Sequence, residues 1–488
     1  MTKRIPQWAF GILAVLLLAS ILVACSQPAP APAPTPQPAA PTTAPAAPTE
    51  AAAPTEAPAT EAPQPAPTEV APTAEVAPAL SGEVSFLIWQ NSPGMDKLVG
   101  EDLPRMFEAK HPGTKINATV LPYDQYNTKL ALLVSAGTPP DIFESGPDFM
   151  RYVTEQVVVP LDDRFAADPV LSDATKSRVE ANDFMRADRE HIYGTQFGAI
   201  CGMQLYYNRD LFDKAGVAYP DENWTWDDFR AAAKKLTIEE NGEAVQWGTT
   251  WGYLGGWDGG WGPLAWDSGV EYFDSPFQAK ALYLDKPEVI AAWQFMQDLV
   301  YKDKVAPSPA TLDALSQAGG PLLSGKVAMV VDGCWMMQSY KGGDFKLGMS
   351  VLPKGPAGRV NTGWFAGGMA IAKASKYPDL AWEYLRFLAV DEDANKALGS
   401  IGQACGAPVV YAYDDLYATS WKDVPGGDAC VKSLENAKAA TIWADAWNEI
   451  WTNIISPNWD KFSNGEITAQ ELSDAINKPA NDALTAPQ

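Results

Sequence analysis

The chain is expected to fold as an α/β protein with two lobes, on three observations. Strand-like and helix-like segments alternate from Val84 onward, the pattern of a mostly parallel sheet flanked by helices. About 400 residues remain once residues 1–80 are set aside, too many for one ordinary core. Hydrophobic residues make up 47% of the chain, so the region beyond residue 80 can bury a large core.

The elements follow in order. Lys3 and Arg4 precede an apolar run from Ala9 to Val23, too short for a comfortable membrane span and fitted to a cleaved signal peptide over residues 1–24. The run ends in Leu22-Val23-Ala24-Cys25, which resembles the bacterial lipobox, so Cys25 is expected to carry lipid. Residues 25–80 are rich in Pro, Ala and Thr with scattered Glu, and nothing apolar recurs at helical or strand spacing. They read as an extended, disordered spacer whose threonines are candidates for O-glycosylation.

Val84 to Trp89 reads as a strand that ends in the turn Gln90-Asn91-Ser92-Pro93-Gly94. A helix with Leu98, Leu103, Met106 and Phe107 on one face follows and stops at His111-Pro112-Gly113. Lys115 to Leu121 alternates as a second strand, and Tyr123 opens a helix that ends before Gly137. A third strand, Pro139 to Phe143, ends at Glu144. Further on, strands are expected at Gln204–Asn208, Val327–Val331 and Phe345–Val351. Helices are expected at Asp210–Gly216, after the cap Thr225, at Ala381–Ala389, from Ala439 to about Trp459, and at Ala469–Ile476.

Net charge is −24, a surface that repels phosphate backbones and argues against nucleic acid as a partner. Five cysteines occur, Cys25, Cys201, Cys334, Cys405 and Cys430. With Cys25 lipidated, the other four allow three pairings in an oxidising compartment. Cys405–Cys430 is the most local choice and leaves Cys201–Cys334; free buried cysteines are the alternative. With no CxxC and only two His, metal and redox sites have little support, and no cofactor is expected.

Four blocks together resemble the extracytoplasmic solute-binding proteins of ABC transporters, in the carbohydrate-binding branch that includes maltose-binding protein. They are Phe107–Gly113 with Tyr123–Tyr126 and Ala136–Asp141; Tyr206–Phe212 with Trp224–Phe229; Ser324–Met329 leading to Gly333-Cys334-Trp335; and Gly363–Ile371 with Ala381–Leu385. Their order and spacing carry the resemblance, which spans most of residues 82–476. It implies the two-lobed periplasmic-binding-protein fold of type II, with a ligand cleft between lobes that are each a mostly parallel sheet flanked by helices. One lobe would hold 82–198 plus 358–410 and the other 199–357 plus 411–488. The crossings would lie near Phe197-Gly198 and Pro353-Lys354-Gly355.

Sugar sites use aromatic planes against C–H faces and planar polar groups against hydroxyls. Trp335, at a strand end where the family stacks an aromatic on sugar, is the first candidate; a core Trp is the alternative. Trp364, beside Gly363 in a glycine-rich run that permits close backbone approach, is the second. Gln90, Asn91 and Glu144 follow strands at the ends where ligands gather in parallel sheets. Asp148 and Asp332 are weaker candidates. Cys201 stands where maltose-binding relatives carry a carboxylate facing the cleft, so the resemblance implies either a different ligand polarity there or a disulfide that replaces the contact. Trp443, Trp447 and Trp451 form a stripe that is more often core, although Trp447 matches a late helix that reaches the cleft in the family. Trp251, Trp257, Trp261 and Trp266 either line an extended groove or pack a loop.

No P-loop, HExxH, EF-hand or GxSxG pattern occurs. The resemblance therefore implies a non-enzymatic, monomeric receptor. It would be anchored in the membrane through Cys25, take a sugar or oligosaccharide and deliver it to ABC permease subunits. The alternatives are an exported polysaccharide-acting enzyme, a surface adhesion protein, or a receptor for a non-sugar solute.

Overall fold

The computed structural model describes residues 80–486, apart from 147, 179–185, 187, 197–198, 201, 252–257, 318, 365–367, 402–406 and 440–441. The expected signal segment, Cys25, the proline-rich stretch, the expected crossing at Phe197-Gly198, Cys201, Trp257 and Cys405 all lie outside the described residues.

The described strands, in chain order, are β1 (Gly82–Trp89), β2 (Thr114–Leu121), β3 (Ile142–Glu144), β4 (Gly194–Gln196), β5 (Ala199–Ile200), β6 (Met203–Asn208), β7 (Ile238–Glu240), β8 (Glu243–Gln246), β9 (Met329–Gly333), β10 (Leu347–Ser350), β11 (Thr362–Trp364), β12 (Gly368–Ile371), β13 (Ala407–Pro408) and β14 (Lys438–Ala439).

The first sheet has the order β2-β1-β3-β12-β4. β1 runs parallel to β2 over its full length and parallel to β3 at Phe86 and Leu87, while β12 is antiparallel to β3 and β4. Val84, Phe86, Leu87 and Ile88 are all buried, as expected of a central strand covered on both faces. Ser92 caps the helical run that follows by accepting the amide of Met95, with Pro93 at the first helical position. This run passes through a π turn at Leu98–Asp102 and ends at Lys110, after burying Leu98, Leu103 and Phe107. Helix Pro378–Val390 packs on the same core, where Tyr384 meets Phe86 and Phe107 edge-on at 5.7 and 5.2 Å.

The second sheet, β10-β6-β9, is antiparallel at both pairings. Alternating strands and helices predict parallel pairing in each lobe, so this is a correction. β6 is the strand on which the chain enters; β9 is reached only after a long excursion, whereas β10 follows β9 directly through the short helical stretch Cys334–Lys341. Both β9 and β10 are antiparallel to β6 and therefore parallel to each other, a short β-helix-β crossover with β6 inserted between its two strands. Helix Trp226–Leu236 starts at the expected cap, Thr225, in a reciprocal capping box with Asp228.

Three apolar clusters result. One draws on residues between Val84 and Tyr193 and between Met369 and Tyr417, joined by Phe277 and Trp443. The second and third draw on residues between Met203 and Leu352 and between Val424 and Ala480. Cys334 and Cys430 sit in the third cluster, and each is disulfide-bonded.

The tail also differs from expectation. A helix from Ala439 is predicted, but Lys438–Ala439 is the strand β14, and the helical run begins at Trp447 and continues to Ser463. Trp443 explains the delay. Its N–H donates to the carbonyl of Pro276 (2.6 Å) and its carbonyl accepts from Gln278 (2.6 Å), so neither group is left for a helix.

Gly426 closes the third cluster at φ +75°, and a Cβ there would lie 1.9 Å from the carbonyl oxygen of Met349. Gly426→Ala is expected to cost at least ~3 kcal/mol, because strain and a backbone collision add. At Gly137 (φ +70°) a Cβ meets nothing within 4 Å. Gly137→Ala should therefore cost only the conformational strain, about 1 kcal/mol. Urea unfolding of both variants checks this; equal losses would refute the steric account.

Candidate functional site

Because β1 and β3 are parallel neighbours, the residues after them emerge together. Gln90 and Asn91 are exposed. The Gln90 amide donates to the Leu121 carbonyl (2.7 Å), and that of Asn91 to the Asp96 carboxylate (2.8 Å). Trp89 is half-buried between Tyr123 and Tyr126, whose rings approach it edge-on at 5.6 and 5.2 Å. Tyr123 is 48% exposed. Trp89 and Tyr123 thus form an aromatic corner beside Gln90 that sequence reading did not single out. The usable signal was an aromatic closing a strand and another opening a helix.

Glu144 is buried. One carboxylate oxygen accepts the Trp89 amide, while Oε2 has no hydrogen-bond partner. Burial pushes the Glu144 carboxyl well above its ordinary range, outweighing the Trp89 amide. Tyr126 donates its hydroxyl to the Glu144 carbonyl. The adjoining Ser145 holds the start of β12 on both sides: its amide donates to the Gly368 carbonyl (2.6 Å) and its Oγ accepts the Gly368 amide (3.1 Å). Gly363 and Trp364 lie four to five residues before Gly368 on β11, with Trp364 paired to Ala439. Their side chains lie outside the described residues. Gln90, Asn91 and Glu144 are thus brought together, whereas Gly363 and Trp364 lie on β11, which among the described residues pairs with β14 and not with the first sheet.

Trp335 belongs to the second sheet. It lies just past β9, in a short 3-10 turn spanning Cys334–Met336, half-buried against the second and third clusters. Its indole folds back over Gly333, where a Cβ would lie 2.1 Å from the ring carbon Cη2, so only glycine fits at that position. Below it the Asp332 carboxylate accepts the Gly333 amide (2.8 Å) and the Tyr340 hydroxyl (2.6 Å). Tyr206 donates to the Gly333 carbonyl (3.1 Å) and the Cys334 amide to the Gly202 carbonyl (3.3 Å).

The remaining candidates fall elsewhere. Trp447 is buried in the second cluster and lines a small apolar cavity with Trp261, Trp293, Trp451, Trp459 and Ile476. That is a core position. Trp251, Trp261 and Trp266 are likewise buried, and the Trp251 indole N–H donates to the Gly260 carbonyl (3.0 Å). Trp443 is core as well, edge-on to Phe149 and stacked on Phe277. Asp148 reaches across to Asn448 (3.4 Å), tying the first cluster to the late helix. Asp188, Glu190 and His191 come within 4.8 Å of one another, but the Asp188 carboxylate already accepts the amides of Glu190 and His191 and the Tyr193 hydroxyl.

The two strand ends thus offer aromatic surfaces, amide side chains and carboxyls. Groups of this kind suit the C–H faces and hydroxyls of a polyhydroxylated solute. The profile of the family described as bacterial extracellular solute-binding protein matches residues 89–395. An arabinooligosaccharide-binding protein of Bacillus subtilis is 25% identical over 350 residues, 67% of this chain and 74% of that protein. The structure of an ABC substrate-binding protein of Listeria monocytogenes in complex with cycloalternan aligns with 83% of this chain and all of that one, at TM-score 0.73 and 25% identity. The maltose/maltodextrin-binding domain of Bdellovibrio bacteriovorus, bound to maltotriose, shares the two-lobed fold at TM-score 0.66 and 16% identity, over 83% of this chain and all of that one.

Proposed function

The chain belongs to the bacterial extracellular solute-binding protein family, and from that premise we propose that it captures an oligosaccharide and delivers it to an ABC permease. The observation that carries the saccharide reading is the aromatic provision at both strand ends, Trp89–Tyr123 on the first sheet and Trp335 on the second. Aromatic rings cover the C–H faces of sugars, and a desolvated stacking surface dominates such affinities. Relatives and structural neighbours with oligosaccharide ligands support the same class.

In this reading Trp335 and Trp364 stack on the sugar, Gln90 and Asn91 bond its hydroxyls, and Glu144 shapes the floor between them. The lobes are 82–198 with 358–410 and 199–357 with 411–488. Closure of one on the other buries the solute, and the differential affinity of the closed form drives the shift. The receptor works as a monomer, tethered through lipid on Cys25, with residues 25–80 as the spacer. No catalysis is assigned to it.

A thermal-shift screen of the full chain against mono- and oligosaccharides, polyols, amino acids and peptides tests this, with product analysis of each mixture. An oligosaccharide is expected to raise Tm and to be recovered intact, since a ligand of the folded state stabilises it. Cleavage of the saccharide would favour an enzyme. A shift with amino acids or peptides alone would overturn the sugar reading.

A further inference from the structure

The end of β9 contains a titratable group that the recognition chemistry does not use. Asp332 is fully buried, and both its hydrogen bonds run to the segment that carries Trp335: one to the Gly333 amide and one to Tyr340 in the helix Met337–Lys341 just beyond. Gly333 is in turn the surface on which the Trp335 indole rests. Among the described residues, the titratable groups that face Asp332 are two phenols, Tyr340 and, from β6, Tyr206. Gln204, its partner across β6, directs its amide to Ser433 (2.9 Å) and accepts the Tyr206 hydroxyl (3.1 Å). Lys341, one residue beyond Tyr340, is turned away to the Ser420 carbonyl and the Asp423 carboxylate.

Among the described residues, a charge in such a place has two neutral donors and no cation. An unpaired buried charge is costly enough to compete with the packing of one loop. We propose that Asp332 is a positioning residue for Trp335. Uncharged, it lets the β9 end close with the indole seated on Gly333; once it loses its proton, the loop opens to hydrate the carboxylate and the indole leaves its seat. Capture at Trp335 is then strongest in mildly acid solution and weaker in base. This last step rests on the reading of Trp335 as a ligand platform; the coupling between Asp332 and the indole does not. Burial places the carboxyl at about 7, inside the range where such a change is measurable, with the Tyr340 and Gly333 donors opposing it.

The test needs no ligand. The full chain is labelled with fluorotryptophan, and the Trp335 resonance is identified by its loss in Trp335→Phe. That resonance is followed by fluorine NMR from about pH 5 to pH 9, a range that brackets the expected midpoint. It is expected to shift with a single midpoint near neutrality in the wild type and to stay at its acid position in Asp332→Asn. Tyr340→Phe removes a donor that favours the charged form, so its midpoint should move to higher pH. This second variant keeps the test decisive if Asp332→Asn folds poorly. A Trp335 resonance that does not titrate, or that titrates equally in Asp332→Asn, overturns the coupling. If the resonance titrates while the affinity for a saccharide from the screen stays constant with pH, the coupling stands. In that case it is the placement of Trp335 in the site that fails.

Discussion

The Asp267→Asn variant is expected to be more stable than the wild type at about pH 8, by several kcal/mol, and equally stable near pH 4. Asp267 is fully buried where the segment after β10 is strapped down: its carboxylate accepts the Val360 amide (2.5 Å) and its carbonyl the Ala357 amide (2.7 Å). Burial raises its carboxyl to about 8, against the opposing effects of the Val360 amide and the Arg359 guanidinium. In the unfolded chain the same group ionises near 3.8. A group whose folded value is raised in this way favours folding fully below the unfolded value and loses that advantage as pH climbs to the folded one. At ~1.4 kcal/mol per pH unit, the interval between those values amounts to on the order of 5 kcal/mol. Asn keeps the acceptor and removes the charge.

Glu144 and Asp332 act in the same direction, since both are buried and raised. Self-repulsion of a chain with net charge −24 adds to them as pH rises. Carboxylates held low by partners work in the opposite sense. Asp168, which accepts the Leu171 and Val170 amides and pairs with Arg386, and Asp303, paired with Arg230 and Lys234, stabilise above the ordinary carboxylate range and lose this as pH falls through their lowered values. The optimum is therefore expected near pH 4 to 5, where both sets contribute. Urea unfolding across the range, wild type beside Asp267→Asn, decides it. A wild type that grows more stable up to pH 8, or a variant without gain there, would show that Asp267 reaches water.

These buried carboxyls also mark where reading the sequence stops. Local signals were legible: the capping box at Thr225 and Asp228, the glycine that ends the short helix at Gly216, and the strand preceding Gln90. The clustering of Gln90, Asn91 and Glu144 was legible too, because parallel strands gather their ends on one side. Contacts between distant segments were not. Nothing in residues 439–446 announces that Trp443 gives its backbone bonds to Pro276 and Gln278. Nor does the spacing of Trp443, Trp447 and Trp451 reveal that Trp447 turns toward Trp261 and Trp293. Asp332 read as a weak ligand candidate, and Tyr206 becomes its neighbour only after β6 and β9 pair.

Trp335→Ala is expected to weaken saccharide binding at least tenfold while leaving the protein folded. Truncating a Trp that anchors a ligand typically costs about 2 kcal/mol or more, and ~1.4 kcal/mol is already tenfold in Kd. Trp335 is only half-buried, so the fold loses part of one packed face rather than a core ring. Trp335→Phe keeps a plane over Gly333 and should recover much of the affinity. Trp447→Ala supplies the contrast. It removes a buried ring from the second core, should cost ~3–5 kcal/mol in urea unfolding, and should leave the affinity of the folded fraction unchanged. Calorimetric titration of the three variants with the oligosaccharide that most raises Tm separates a binding surface from a packing one. If Trp335→Ala binds as the wild type does and Trp447→Ala does not, the recognition surface lies at the late helix, and the end of β9 serves only to pack the fold.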